Sequence, residues 1–300
     1  MNFGTEKSWK KKITEIKKEI DNSKYPFPRF IRDIVLRDHL HLLLEDKLIQ
    51  FCKNKKVGIM FSGGVDSSVL AIMCKQLGFD YCCYSVGFQN KNTKMPEDVE
   101  VSKQMAKIYG LNFRYKLFNL IEAEKIIKKT ANILAKTKAF DVVNIGVGAV
   151  EVAAMEMAKK DKCEIVLSGL GSEEIFAGYQ RHEKAKDKQA ECWEGLINIH
   201  KRDLIRETIL PETLKIKTYA PFLDFHIIEV AMSISIKSKI NKKQNKIVIR
   251  KIAKKIGLKQ FAKRKKRAAQ YGSRFHKAIE ILSNKNGFKF MKDYIKKLIN

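Results

Sequence analysis

The chain has 300 residues, 45% of them hydrophobic, and a formal charge of +27 from 60 Lys and Arg against 33 Asp and Glu. That apolar content is enough for a sizeable core in one large domain or two. There is no run of about 18 apolar residues to cross a membrane as a helix, and the start, MNFGTEKSWKKK, lacks the apolar stretch of a secretory signal. A cytoplasmic location with no membrane partner is therefore expected. The cysteines, Cys52, Cys74, Cys82, Cys83, Cys163 and Cys192, form no CxxC pair and no zinc spacing. They read as buried, reduced thiols.

In chain order, Ile13, Ile16 and Ile20 recur at helical spacing between lysines. Pro26-Phe27-Pro28 interrupts the pattern, and an apolar face restarts between Phe30 and Leu44. Residues 1–54 thus read as a helical lead-in to the first strand. The next stretch alternates. Residues 57–61, 81–88, 113–117 and 164–167 read as strands, and residues 67–77, 96–109, 121–134 and 147–158 as helices. Such alternation predicts an α/β fold with a doubly wound parallel sheet over residues 55–180. The strand pattern stops near Tyr179, so residues 181–300 are expected to be mainly helical and to complete the site. They are also basic. From Lys237 to Asn300 there are 22 Lys and Arg against only Glu280 and Asp293, a local +20. A polyanion partner follows: nucleic acid, or the phosphates of a nucleotide. Lys outnumbers Arg 49 to 11, and Arg is the better bidentate reader of phosphate and base edges. Weak RNA binding through this part is the subordinate reading.

The chemistry begins where the first strand ends. Phe61 is followed by Ser62-Gly63-Gly64-Val65-Asp66-Ser67-Ser68, which opens a helix. Two glycines at a strand-to-helix turn let the backbone approach an anion, and the seryl hydroxyls and free helix N–H groups share its direction. No Lys follows the glycines, so this is not a Walker A loop. The segment resembles the loop of the N-type ATP pyrophosphatases, the PP-loop family with the adenine nucleotide α-hydrolase-like fold. In that family the loop holds the pyrophosphate leaving group while an acceptor attacks the α-phosphate of ATP.

A second glycine turn, Leu167-Ser-Gly-Leu-Gly-Ser-Glu-Glu-Ile-Phe-Ala-Gly-Tyr179, follows a later strand, and Glu173 and Glu174 open the next helix. With Asp66 they offer hard oxygen ligands of the kind that suits Mg²⁺. Further on come Pro221-Phe-Leu-Asp224 and Lys263-Arg-Lys-Lys-Arg-Ala-Ala-Gln-Tyr-Gly-Ser273. These four motifs, in this order, resemble the synthetase domain of asparagine synthetase. The quirks of the second and fourth are similar to the proteins called asparagine synthetase domain-containing. The resemblance implies a carbon–nitrogen ligase that adenylates an amino-acid carboxylate, aspartate by default, then forms the amide with ammonia and releases AMP. It implies ATP and Mg²⁺ as cofactors, with Ser62, Gly63, Gly64, Asp66, Ser67 and Ser68 on the pyrophosphate. Asp66 and Glu173 would hold the metal, and Phe61, Val86, Ser168 and Gly169 the adenosine. Lys266 would reach back to the phosphates.

This sequence departs from the family at several points. Leu170 stands where the family has a Glu, Lys217-Thr218-Tyr219 where it has Glu-x-Arg, and Glu173 where Asp is usual. Position 2 is Asn2 rather than the nucleophilic Cys of a glutaminase domain, so ammonia is expected free or from a separate glutaminase. These departures support the alternative of a PP-loop-fold module that acts on RNA or a protein partner with altered or lost synthetase activity. Among other candidates, His39, His41, His200 and His226 show no metal spacing, and Arg181-His182 lies just beyond the second turn, where it could face the site.

Overall fold

A computed structural model of the chain describes residues 3–23, 26–91, 93–259 and 268–299. The lead-in is two helices, α1 (Glu6–Asn22) and α2 (Arg29–Cys52). Thr5 caps α1 by accepting from the Ser8 amide, and Trp9, Ile13 and Ile16 form its buried face, with Ile20 half-buried beside them. The alternating stretch follows as β1 (Val57–Met60), α3 (Val65–Gln76), β2 (Tyr81–Phe88), α4 (Glu97–Tyr109), β3 (Phe113–Phe118), α5 (Leu120–Leu134), α6 (Val142–Lys160) and β4 (Ile165–Leu167). Beyond it lie α7 (Ser172–Ile175), α8 (Gln180–Lys184), α9 (Lys188–Ile199), a π turn at His200–Leu204, α10 (Ile205–Leu214) and β5 (Lys217–Tyr219). The chain then runs through a 3₁₀ turn at Pro221–Leu223, α11 (Phe225–Ser233), α12 (Ile236–Lys239), α13 (Ile247–Lys255), α14 (Ala269–Gly272), α15 (Phe275–Lys285) and α16 (Met291–Lys297).

The five strands pair in parallel in the order β3-β2-β1-β4-β5. Two buried apolar clusters cover the two faces. One gathers residues of α1, α2, α3, α9, α11 and α13, and the other gathers α5, α6, α10, α15 and α16. The sheet is therefore doubly wound, as the alternation predicts. Its chain order reverses between β1 and β4: the chain winds outward from β1 to β3, then returns to the other side of β1. In such sheets the crevice beyond the carboxyl ends of the two central strands is the binding place, and here the two glycine turns leave those ends.

Two elements differ from the expectation. β5 adds a fifth strand past Tyr179, where none was expected. Only Lys217, Thr218 and Tyr219 form it, in register with Ile165, Val166 and Leu167, and three residues are too few to show a period. These are also the residues that replace the family's Glu-x-Arg. Helix α6 begins at Val142, five residues before the reading's start. Asp141 caps it, accepting from the Asn144 amide at 2.8 Å. The early turns contain Gly146 and Gly148, poor helix formers, but packing requires them small. A Cβ at Gly146 would lie 3.0 Å from Gln270 Cβ, and one at Gly148 would lie 2.8 Å from Thr130 Cγ2.

Candidate active site

The loop after β1 is fixed at its entrance. The Phe61 amide donates to the Tyr84 carbonyl at 2.8 Å, and the Ser102 hydroxyl donates to the Phe61 carbonyl at 3.0 Å. Gly63 takes φ +67°, and a Cβ there would lie 2.8 Å from Val101 Cγ1 and 3.0 Å from the Ser102 amide nitrogen. Both the conformation and the space demand glycine. The Ser62 amide donates to Ser67 Oγ at 3.3 Å, and Ser67 Oγ donates to the Gly64 carbonyl at 3.2 Å. The turn thereby wraps the N-terminus of the 12-residue α3, whose free N–H groups and positive dipole end favour an anion.

Phe61, Ser62, Gly63, Gly64, Asp66, Ser67, Val86, Ser168, Gly169 and Glu173 all line one cleft of about 2520 Å³, with room for a nucleotide and a second substrate. The two loops meet closely, since a Cβ on Gly169 would sit 3.5 Å from Asp66 Cβ. Ser68 does not line the cleft: it is fully buried one turn into α3, its amide donates to the Gly64 carbonyl, and its hydroxyl has no partner among the described residues. Lys266 lies outside the described residues.

Asp66 and Glu173 converge on a cation, and that cation belongs to the chain. Lys246 Nζ lies 2.6 Å from Asp66 Oδ2 and 2.8 Å from Glu173 Oε1, and it donates to Ser172 Oγ at 3.1 Å. Asp66 is 2% exposed and Lys246 3%. Lys246 holds φ +55° at the entry to α13. Its neighbour Asn245 is tied down, its side chain donating to the Gly178 carbonyl at 2.9 Å. Arg250, one turn along α13, lines the same wall, as do Lys242, Lys243, Lys254 and Lys259. This wall of cations across from the α3 N-terminus suits a polyphosphate. Nothing in the sequence marks Lys246: it is one lysine in a lysine-rich stretch, 180 residues from Asp66, and only the packing of α13 on α3 unites them.

A second group of charges lines the cleft beside Ser168. Arg206 is 3% exposed, and each of its three nitrogens donates: Nε to Glu151 Oε2 at 2.7 Å, Nη1 to Asn144 Oδ1 at 2.7 Å and Nη2 to Asp203 Oδ1 at 3.0 Å. Glu207 follows it, buried, and burial with the Glu151 charge pushes its carboxyl up to about 8, against a hydrogen bond from Ser168. Burial raises Glu151 as well, and Arg206 opposes the rise. The π turn at His200–Leu204 sets Asp203 and the first residues of α10 toward this wall, a common use of such turns at sites. None of Glu151, Asp203, Arg206 and Glu207 stood out in the sequence, because isolated charges on unrecognised helices carry no spacing signal.

Glu174, fully buried, is raised by desolvation to about 7, with Asp203 and Glu173 adding to the rise. Arg181 approaches it to 3.9 Å but pairs more closely with Glu191 at 2.9 Å and covers the Tyr179 ring. His182 is buried, is lowered to about 4 chiefly by burial, and accepts from the Tyr179 amide through Nδ1. Neither Arg181 nor His182 lines the cleft. Among the described residues no three His, Cys, Asp or Glu side chains form a metal-binding group. All six cysteines are free and buried, and among the described residues no helix is long and apolar enough to cross a membrane.

The sequence matches the asparagine synthase family over residues 40–217 and 189–283. It is 30% identical to the putative asparagine synthetase [glutamine-hydrolyzing] 1 of Methanocaldococcus jannaschii, over 84% of this chain and 52% of that protein. It is 28% identical to the asparagine synthetase domain-containing protein YML096W of Saccharomyces cerevisiae, over 86% of this chain and 55% of that one. To asparagine synthetase [glutamine-hydrolyzing] 2 of Lotus japonicus it is 28% identical, over 62% of this chain and 33% of the relative. The chain thus spans about half or less of the length of these curated relatives.

Proposed function

The chain belongs to the asparagine synthase family, and on that premise we propose that it is an ATP-dependent, amide-forming ligase. A carboxylate, aspartate by default, attacks the α-phosphate of ATP, and pyrophosphate leaves. Ammonia then attacks the acyl-adenylate, giving the amide and AMP. One observation carries the reading: the Asp66–Lys246–Glu173 cluster stands at the mouth of the glycine cradle, beside the N-terminus of α3.

Each part has a physical role in that reaction. Backbone N–H groups of Gly63, Val65 and Ser67, with the α3 dipole, hold the departing pyrophosphate. Lys246 and Arg250 offset the charge that grows on the leaving group, and Lys266 joins them from the basic C-terminal part. Phe61, Val86, Ser168 and Gly169 form the adenosine contacts. Asp66, Glu173 and the Ser172 hydroxyl offer hard oxygens that fit Mg²⁺, and the bound ion would supply further charge neutralisation at the phosphates. Lys246 then has two duties: it balances the carboxylates of Asp66 and Glu173 and offers its charge to the phosphates.

The second reading, action on RNA, rests on the +20 segment. Lys242, Lys243, Lys254 and Lys259 face the cleft, which favours a nucleotide's phosphates as their partner. An ATP–pyrophosphate exchange screen across amino acids in Mg²⁺ tests the proposal. Exchange dependent on one carboxylate is expected. If the chain binds no Mg–ATP, the ligase reading is wrong.

A further inference from the structure

We propose that the buried pocket of Glu151, Asp203, Arg206 and Glu207 is the subsite for the attacking nitrogen, and that Glu207 takes its proton. This rests on the ligase reading above and adds the amine subsite to it.

The charge balance comes first. Three carboxylates surround one guanidinium, and all three faces of Arg206 are spent on Glu151, Asn144 and Asp203. Those partners, two of them carboxylates, fix Arg206 and offset its charge, which disfavours a substrate carboxylate beside it. With all three acids ionised the pocket is net negative, and the carboxylate that no Arg206 nitrogen contacts is that of Glu207. Its Oε1 is buried with no hydrogen-bond partner among the described residues, while the residue lines the cleft. A buried acceptor of that kind calls for a donor, and a net negative pocket selects a cation: ammonium, or the protonated form of a primary amine.

Position comes next. Ser168 lines the cleft with Glu207 and lowers its carboxyl, and Ser168 adjoins Gly169, which abuts Asp66 of the cradle. The pocket therefore opens beside the place where the acyl group would be activated. Leu170, in the same turn, has no atom that can accept a proton. Glu174 also lines the cleft, but it follows Glu173 in α7 and packs its Cγ against α9, 3.3 Å from the Cβ position of Gly195.

Chemistry follows from the environment. Burial raises the Glu207 carboxyl to about 8, so it holds a proton until ammonium enters, when that proton passes to solvent through the cleft. An entering ammonium replaces that proton's charge and leaves a carboxylate of matched basicity. Glu207 then accepts one proton from ammonium, and the nitrogen lone pair forms the C–N bond. The acyl C–O bond breaks, AMP leaves with the electron pair, and the second proton passes to its phosphate. Atoms and charge balance without a further reactant.

The test uses the full chain with the carboxylate identified by exchange. For Glu207→Gln, pyrophosphate exchange within about twofold of the parent is expected, with ammonium-dependent AMP release down on the order of 100-fold. Glu207→Asp, which keeps the acid, should recover part of that rate. Equal ammonium-dependent rates in Glu207→Gln and the parent overturn the inference. So does parallel loss of both half-reactions, which would assign Glu207 to folding or to adenylation. A parent chain that exchanges with no carboxylate overturns the ligase reading and this subsite with it.

Discussion

Lys246 does the work of a metal between Asp66 and Glu173, and its removal leaves two close carboxylates without that counter-charge. Lys246→Met should cost about 3–5 kcal/mol in urea unfolding, the range for a buried pair stripped of one partner. Adding Asp66→Asn should restore part of that loss, since the two changes are coupled through one contact. Asp66→Ala alone should slow pyrophosphate exchange by on the order of 10²–10³-fold, as for other groups that stabilise a charged transition state. Glu174 gives the pH dependence. Burial, then Asp203 and Glu173, raise its folded pKa from 4.5 to about 7, with Arg181 opposing. The folded carboxyl retains a proton that the unfolded one has lost. Stability contributed by this site therefore falls as pH rises from about 4.5 to about 7 and is level above. Glu207 adds a fall of the same sign that ends near 8. Melting temperatures of Glu174→Gln between pH 5 and 8 should show a shallower decline than those of the parent.

The cradle owes its shape to two elements packed at right moments of the chain: β1 delivers the loop, and α4 closes against it. Val101 and Ser102 of α4 fill the space beside Gly63, so that the left-handed φ and the lack of room for a Cβ together disfavour any other residue. Gly63→Ala should lower stability by about 1–3 kcal/mol and slow exchange further than stability alone explains, because Ser62 and Gly64 move with it. Far from the site, α1 is anchored by its buried face, and Trp9 is the largest side chain of it. Trp9 Nε1 donates to the Leu196 carbonyl at 2.8 Å, and its ring meets Phe3 at 5.9 Å and Phe225 at 5.5 Å. Trp9→Ala should cost about 3–5 kcal/mol, read as a lower urea midpoint, because α9 and α11 lose their shared partner.

The charge of +27 acts over the whole molecule. If cations serve the cleft, Mg–ATP affinity should weaken only several-fold between 50 and 200 mM salt. Binding of single-stranded RNA through many phosphates would instead fall by about 10³–10⁵. Filter binding at both salt concentrations distinguishes them, and RNA binding that is strong at 50 mM and falls by that factor at 200 mM would favour the RNA reading.

What the sequence alone determined is local. Alternation of apolar runs with helical periods gave four strands and their helices, because side-chain burial imposes those periods. The glycine loop was legible because only glycine fits its turn, and the family resemblance rested on four such segments in order. The tertiary structure decided the rest. β5 is a strand only because β4 offers it an edge. Lys246 reaches Asp66 only because α13 lies on α3. Arg206 and Glu207 enter the cleft only because the π turn before α10 aims them there. Contacts between residues 50 to 180 positions apart leave no period to read, since their geometry is set by the packing of elements rather than by neighbours along the chain.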